Sequence, residues 1–435
     1  MIYAPNSGLF PPLPSAVSIY IKKRGILFDR VLNEVPCSQF FGAVVIPSLA
    51  ETSNLLQTLK TLSLNPAVIL DQFIILVVVN QRTDASESES SDNLETIRML
   101  PEWKRKFGLK NLFWVDAATT GKELPQKQGV GLARKIGLDM SLTLLNFAAG
   151  DPLLVCLDAD TLVQPDYLHA IVSHFAHSSA GGASIPYRHQ TCADPIAQSA
   201  IERYELFLRI YVLGLELAGS PYSFHTVGSA MACRASAYVS SGGMNRRLAG
   251  EDFYFLQQVH KTSGVEVLSG TIVHPSPRSS NRVPFGTGRA VGDMLAGGEQ
   301  QLLFYQPVVF SIVGEWLAYV AENSGQDALQ LLNGAAKISA VLHDFLKQSG
   351  FEGAWKNLKK NCNEDLKLMS AFHGWFDAFR TMRLIHELSN KDYPRIEPET
   401  AVSQVIERAG HRSPETVTDQ LDLLRRLQGA DSQAL

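Results

Sequence analysis

The stretch Leu153-Leu154-Val155-Cys156-Leu157-Asp158-Ala159-Asp160 constrains this chain more than any other. An apolar run of strand length ends in two acidic residues spaced i, i+2, and in an extended strand such residues point to the same side. Both carboxylates then emerge together where a buried strand stops. Two such charges repel unless a cation separates them, and a hard divalent ion with phosphate cargo suits the pair. A strand followed by an Asp-rich turn, with Asp160-Thr161 as capping residues, is the plainer account of the same residues. The rest of the chain decides between them.

Strand-like runs and helical patterns alternate through the first half. Phe41 to Ile46 reads as a buried strand closed by Pro47-Ser48, and Glu51-Thr52-Ser53 leads into a helix carrying Leu55, Leu56, Leu59 and Leu62. Phe73 to Val79 is unbroken and β-branched, the signature of a parallel strand buried on both faces, and it stops at Asn80-Gln81. Leu112 to Asp116 is a third strand, after which Gly129-Val-Gly131 opens a helix with Ala133, Ile136, Gly137, Met140 and Leu144 inside. This alternation predicts an α/β layer with a largely parallel sheet, where ligands bind at the carboxyl ends of the strands. Glu51, Asn80, Asp116, Asp158 and Asp160 all lie at those ends, which favours the functional account. Two weaker patterns complete this half. Val17 to Ile21 alternates and predicts an edge strand, and the acidic run Asp84 to Asn93 predicts a mobile loop, with Asp92 and Glu95 as the capping box of the helix beyond it.

Several ligand classes and settings are disfavoured. The first strand leads into Pro47-Ser48-Leu49-Ala50-Glu51 with no glycine-rich turn, and no G-x-x-x-x-G-K-[ST] run occurs, so neither a dinucleotide site nor a P-loop is expected. A nucleoside diphosphate would have to be held through a metal. A net charge of -4 without a long basic stripe disfavours nucleic acid as a partner. The five cysteines stand singly, which fits neither a zinc framework nor a disulfide scaffold and suits a reducing, cytoplasmic compartment. No basic-then-apolar leader pattern and no span-length apolar run is present, and Pro307 to Ala321, carrying Glu315 and Trp316, reads as a buried helix. Any membrane contact would be peripheral.

Beyond the paired aspartates, Pro195 to Leu217 is helical, Thr226 to Cys233 is strand-like, and Ser241-Gly-Gly-Met-Asn245 is a turn. Gly250-Glu251-Asp252 then opens a helix with Phe255, Leu256 and Val259 on its apolar side. Adjacent acids there complement the helix dipole; beside a metal-bound diphosphate, a carboxylate on a rigid helix start also suits a general base. His274 follows the apolar run Val265 to Val273, and His225 reads as a packed core histidine.

The ordered set Val44-Val-Ile-Pro47 with Glu51, Asn80, Gly131-Leu-Ala-Arg134-Lys-Ile-Gly137, Asp158-Ala-Asp160, Gly242-Gly243 and Glu251-Asp252 resembles the family 2 glycosyltransferases of GT-A fold, over roughly residues 41 to 290. The resemblance implies a Rossmann-like mixed α/β sheet flanked by helices, and a metal-dependent enzyme moving a sugar from a nucleotide-diphosphate donor to an acceptor hydroxyl, with inversion. Pro47, Glu51 and Asn80 would bind the nucleoside, with Asp158 near the ribose and base. Asp160 would hold Mn²⁺ or Mg²⁺, with His274 as a further ligand. Lys127 and Arg134 fall near the donor, and Arg278 and Arg282, with Gly286-Thr-Gly288, would close over the diphosphate. Asp252 would be the base, with Glu251 beside it. The acceptor, whether saccharide, lipid or small molecule, is not encoded in any readable motif. A nucleotidyltransferase and a non-catalytic sugar-nucleotide or glycan-binding protein on the same fold are the rival readings, and retaining chemistry stays open.

A chain of 435 residues is long for one core. The expected division is an extension over 1–40, a glycosyltransferase domain over 41–299 and a helical domain over 300–435. In the last, Gln301 to Ala321, Gln326 to Ser349, Asp365 to Ser389 and Thr416 to Leu427 read as helices, and Lys356, Lys359 and Lys360 form a small basic cluster.

Overall fold

A computed structural model of the chain describes residues 11–26, 31–278, 292, 294 and 302–431. It divides into two compact units, neither of them a single run: Met1–Ala197 with His225–Gly292 and Gln428–Leu435, and Gln198–Phe224 with Asp293–Leu427.

The first unit is an α/β layer. Its elements are α1 (Ser15–Arg24), β1 (Gly42–Ser48), α2 (Thr52–Leu62), α3 (Ala67–Leu70), β2 (Phe73–Asn80), α4 (Glu87–Lys106), β3 (Leu112–Ala117), α5 (Val130–Leu142), β4 (Leu153–Cys156), β5 (Leu162–Val163), α6 (Tyr167–His177) and β6 (Gly182–Ser184). After α7 (Pro195–Leu217), which lies mostly in the second unit, come β7 (Met231–Arg234), α8 (Ala235–Ser240), α9 (Glu251–Ser263), β8 (Val265–Val267) and β9 (Val273–His274). Seven strands form one sheet in the order β3-β2-β1-β4-β7-β6-β8, and β5 pairs with β9 in a two-stranded ribbon. β1 to β4 run parallel, β7 is antiparallel to β4, and the sheet is therefore mixed. β1 is paired with β2 as far as Ser48↔Val79 but with β4 only as far as Val45↔Cys156. The sheet thus parts between β1 and β4 at their carboxyl ends, where successive strands depart in opposite directions from β1. Open α/β sheets bind ligands at such a switch point.

α5 packs on β1 and β2 and is buried all round from Gly131 to Leu142. A Cβ on Gly137 would lie 2.3 Å from the Val45 side chain, so glycine lets the helix approach the strand this closely. All-round burial also places Lys135 and Asp139 in the interior. Asp139 accepts hydrogen bonds from Tyr20 and Tyr238, both 2.7 Å, and pairs with Lys135 at 3.0 Å. Tyr20 belongs to α1, which corrects the expected edge strand. Val17, Tyr20 and Ile21 are buried at helical spacing while Ile19 is 53% exposed, so the alternation of Val17, Ile19 and Ile21 does not face a sheet. Lys22, Lys23 and Arg24 complement the dipole at its last turn.

The run Asp84 to Asn93 is likewise helical from Glu87. Ser86, not Asp92, is the capping residue: its hydroxyl accepts from Glu89 N and its own N–H donates to the Glu89 carboxylate, 2.8 Å. Asp92 instead accepts from the backbone N–H and hydroxyl of Thr52 at the start of α2.

The second unit is helical: α7, then α10 (Pro307–Glu322), α11 (Ala328–Ile338), α12 (Ala340–Gln348), α13 (Phe351–Asn361), α14 (Asp365–Trp375), α15 (Ala378–Lys391), α16 (Pro398–Arg408) and α17 (Val417–Leu427). Two expected long helices are each broken by a capping side chain. Ser339 accepts from Leu342 N to start α12, and Asp377 accepts from Arg380 N to start α15. Trp316, Phe351, Trp355 and Phe372 fill the core between them. The lysine cluster is an exposed face of α13, and Lys359 donates to the Gly325 carbonyl at 2.6 Å. Among the described residues no helix is long and apolar enough to cross a membrane.

The Lys135–Asp139 pair yields a stability test. Asp139→Asn strands a buried ammonium and should lower unfolding stability in guanidinium by about 3–5 kcal/mol. Asp139→Asn with Lys135→Met removes both charges and should recover more than half of that loss.

Candidate active site

The strand ends bring five carboxylates and two guanidiniums together. β1 delivers Glu51 through a tight turn in which Ala50, not a glycine, adopts φ +50°. A non-glycine residue held there stores strain that the surroundings must offset. The restraint comes from α4: the Asn93 side chain accepts from Ala50 N at 2.8 Å and donates to the Gln81 side chain at 3.0 Å. Asn93 is fully buried, and with Asp92 it pins the turn that carries Glu51.

β4 ends at Cys156, so Asp158 and Asp160 lie in the turn beyond it rather than in extended strand, and each meets an arginine. Arg134, the fifth residue of α5, pairs with Asp158 and with Glu251 at the start of α9. Its side chain is 3% exposed, and the space for it exists because residue 228 is glycine: a Cβ there would lie 2.4 Å from an Arg134 nitrogen. Arg278 pairs with Glu51 and with Asp160, its Nε 3.1 Å from Asp160 Oδ2. A planar fork of donors suits each bridging task.

Carboxylates outnumber guanidiniums, and the imbalance shows in the proton affinities. Burial, then the neighbouring charge of Asp158, push the Asp160 carboxyl up to about 6, with Arg278 pulling the other way. Asp252, beside Glu251, is raised as well, by burial first and then against the pull of Arg134. Asp116, at the end of β3, goes the opposite way. Burial raises it, but Lys122 and the N–H groups of Thr119 and Ala118 outweigh that and hold it at about 2. Those contacts make it a turn cap.

The remaining expected residues take varied places. Pro47 is buried in β1 beyond its pairing with β4, at the edge of the opening, and Asn80 is buried as the last residue of β2. Lys127 is exposed in the loop ahead of α5, outside the network. His274 is buried in β9, its Nε2 3.1 Å from the Gln164 amide. Arg282 and Gly286-Thr-Gly288 lie outside the described residues. His225 is half-buried, 3.0 Å from Gln428 and edge-on to Tyr187. Sequence reasoning missed Gln190, whose amide donates to the carbonyls of Asp160 (2.9 Å) and His274 (2.7 Å) and so ties β4's exit to β9. Beside Asp160 opens a cavity of about 280 Å³ with Asn54, Gln57, Lys60, Thr61 and Gln190 among its lining. Amides, a hydroxyl and an ammonium there suit a polar ligand.

Among the described residues no group of three His, Cys, Asp or Glu side chains stands close enough to cage a metal. The donor set fits a different arrangement. Asp160 is a half-buried carboxyl crowded by negative charge, and a hard cation held by one or two protein ligands takes its other oxygens from substrate phosphates.

The raised Asp160 carboxyl has a consequence for stability. A carboxyl whose folded pKa exceeds its unfolded value of about 3.9 opposes folding when ionised. That opposition is absent below the unfolded value, grows as pH rises to the folded value, and is full above it. Asp160→Asn should therefore stabilise the protein at pH 7.5, by about 1 kcal/mol after screening, and the gain should vanish near pH 3.5. Melting curves of the two proteins at both pH values check this.

The sequence matches the glycosyl transferase family group 2 over residues 153–288. None of the curated proteins matches it. Among solved structures the chain is similar to residues 1–349 of S. aureus TarS, at 12% identity and a TM-score of 0.37, covering 90% of this chain and 88% of that one. It is similar to the mannosyltransferase PcManGT from Pyrobaculum calidifontis, in complex with GDP-Man and Mn²⁺, at 16% identity and a TM-score of 0.38, covering 83% and 93%. It is similar also to glucosyl-3-phosphoglycerate synthase from Mycobacterium tuberculosis, at 13% identity and a TM-score of 0.30, covering 62% and 74%. Similarities of this degree carry no argument about substrate. The matched segment runs from the first residue of β4 through Asp158, Asp160, Glu251, Asp252, His274 and Arg278. The segment that matches the glycosyl transferase family group 2 is thus seated on a mixed α/β sheet that parts at the end of β4.

Proposed function

We propose that this enzyme transfers a glycosyl group from a nucleoside diphosphate sugar to an acceptor hydroxyl, by a single inverting displacement that depends on Mn²⁺ or Mg²⁺. One observation carries the reading. Arg134 holds Asp158 beyond β4 and Glu251 at the start of α9 on one guanidinium, which sets Asp252 within electrostatic reach of Asp158.

In this reading the nucleoside lies in the opening between β1 and β4, against Pro47, Glu51, Asn80 and Asp158. Asp160 and His274 would hold the cation, with Gln190 fixing the distance between their backbones. Bound there, the cation would act as a Lewis acid on the departing diphosphate. Arg278, and Arg282 and Lys127 with it, would add positive charge around the phosphates. Asp252 takes the proton of the acceptor hydroxyl. Its raised pKa makes it a stronger base than an ordinary carboxylate, and its place on the first turn of α9 holds it rigid. Glu251 is committed to Arg134 and serves as a positioning residue. The acceptor would approach from the side of α9, since displacement with inversion needs the base opposite the leaving diphosphate.

Asp252→Asn should reduce kcat by about 10²–10⁴-fold while leaving the dissociation constant of the nucleotide sugar within about threefold. The acid limb of the pH–rate profile should lie above the ordinary carboxylate range, because the base must lose its proton and holds it to a higher pH than usual. The donor itself can be found by melting the protein against a panel of nucleotide sugars with Mn²⁺ or with EDTA. The true donor at a hundredfold excess should add about 2.7 kcal/mol of stability, only with metal and not in Asp160→Ala. Full transfer activity in Asp252→Asn would sink the assignment of the base.

A further inference from the structure

The two arginines of the site differ in a way that bears on how a cation enters it. Arg134 is 3% exposed and enclosed around Gly228, so its pairs are fixed parts of the fold. Arg278 is 35% exposed and reaches its partners from the chain four residues beyond His274. Its guanidinium spans two carboxylates from different elements, Glu51 at the start of α2 and Asp160 beyond β4, with Nε 3.1 Å and Nη2 3.0 Å from the same oxygen, Asp160 Oδ2. Glu51 is 6% exposed and also accepts from Asn54 at 2.8 Å, so it is held in place to receive this partner.

We propose that Arg278 is a tethered counter-ion that competes with the divalent cation for Asp160. A guanidinium and a divalent ion on one carboxylate oxygen repel strongly in a partly buried site, so the cation binds Asp160 well only when Arg278 leaves. A nucleoside diphosphate offers Arg278 phosphate oxygens in exchange for its carboxylates, which suit its fork equally well. Metal and nucleotide therefore bind with positive coupling, each weakening the hold that excludes the other. In the free protein Arg278 takes the place of the cation at Glu51 and Asp160. The inference rests on the proposed role of Asp160 as a cation ligand.

The test measures Mn²⁺ binding by the electron paramagnetic resonance of the free ion, with and without UDP or GDP, in wild type, Arg278→Gln, Arg278→Lys, Lys60→Gln and Asp160→Asn. Without nucleotide, Arg278→Gln should bind Mn²⁺ about tenfold more tightly than wild type, and Arg278→Lys, which keeps the charge, should stay near wild type. With nucleotide the advantage of Arg278→Gln should disappear. Lys60→Gln removes a cation from the cavity beside Asp160 without touching that carboxylate, and should change Mn²⁺ affinity less than threefold. Equal Mn²⁺ affinity in wild type and Arg278→Gln, with Asp160→Asn abolishing binding in both, would overturn the competition while leaving Asp160 as the ligand. An equal gain in Lys60→Gln would also overturn it, since general charge would then explain the effect. Binding unaffected by Asp160→Asn, or absent throughout, would overturn both.

Discussion

Everything in the active site depends on how negative charge is managed where β4 ends. Glu51, Asp158, Asp160, Glu251 and Asp252 arrive from three different parts of the sheet and helix layer. Like charges at such spacing destabilise a folded chain unless opposite charge separates them. Arg134 and Arg278 do so by bridging rather than by simple pairing, each spanning two elements. The compensation is incomplete, and the residual stress appears as raised proton affinity on Asp160 and Asp252. Incomplete compensation of this kind lowers stability, a common cost of charges gathered at one place.

α5 is the element through which the fold meets that demand. It is buried on every side, so its polar residues must be satisfied inside. The terminal nitrogens of Arg134 are satisfied by Asp158 and Glu251; Lys135 and Asp139, just beyond it, are satisfied by α1 and α8. Buried ion pairs add little net stability, but breaking one is expensive, so such pairs fix one arrangement against near alternatives. The glycines serve the same end. Gly137 brings the helix against β1, and Gly228 leaves room for the guanidinium.

What was legible in the sequence followed from local periodicity. The apolar run of β4, the unbroken β2 run and the acidic start of α9 each carry their geometry within a few residues, whereas Asp158 and Asp160 fall in the turn beyond β4. Asn93, Gln190 and Gly228 carry no such mark, because their roles are set by partners that the fold alone brings near: Ala50, the carbonyls of Asp160 and His274, and Arg134. The misreadings have the same origin. Five residues of Val17 to Ile21 fit both a strand and a helix period, and the deciding contact, Tyr20 to Asp139, spans 119 positions. Ser86 and Asp92 both have an acid three residues on, and only the proximity of Thr52 shows that Asp92 is engaged elsewhere.

The docking of α1 also orders events in time. Tyr20 meets Tyr238, 218 positions later, and a Cβ on Gly243 would sit 1.8 Å from the Tyr20 hydroxyl. Synthesis runs from the amino end, so α1 emerges from the ribosome long before the surface it closes upon exists. Before residues 238–243 are made, Tyr20 has its partners on α5, Asp139 and Lys135, but not Tyr238 or the turn at Gly243. The full docking surface of α1 is thus complete only once the chain has been made more than 200 residues beyond it.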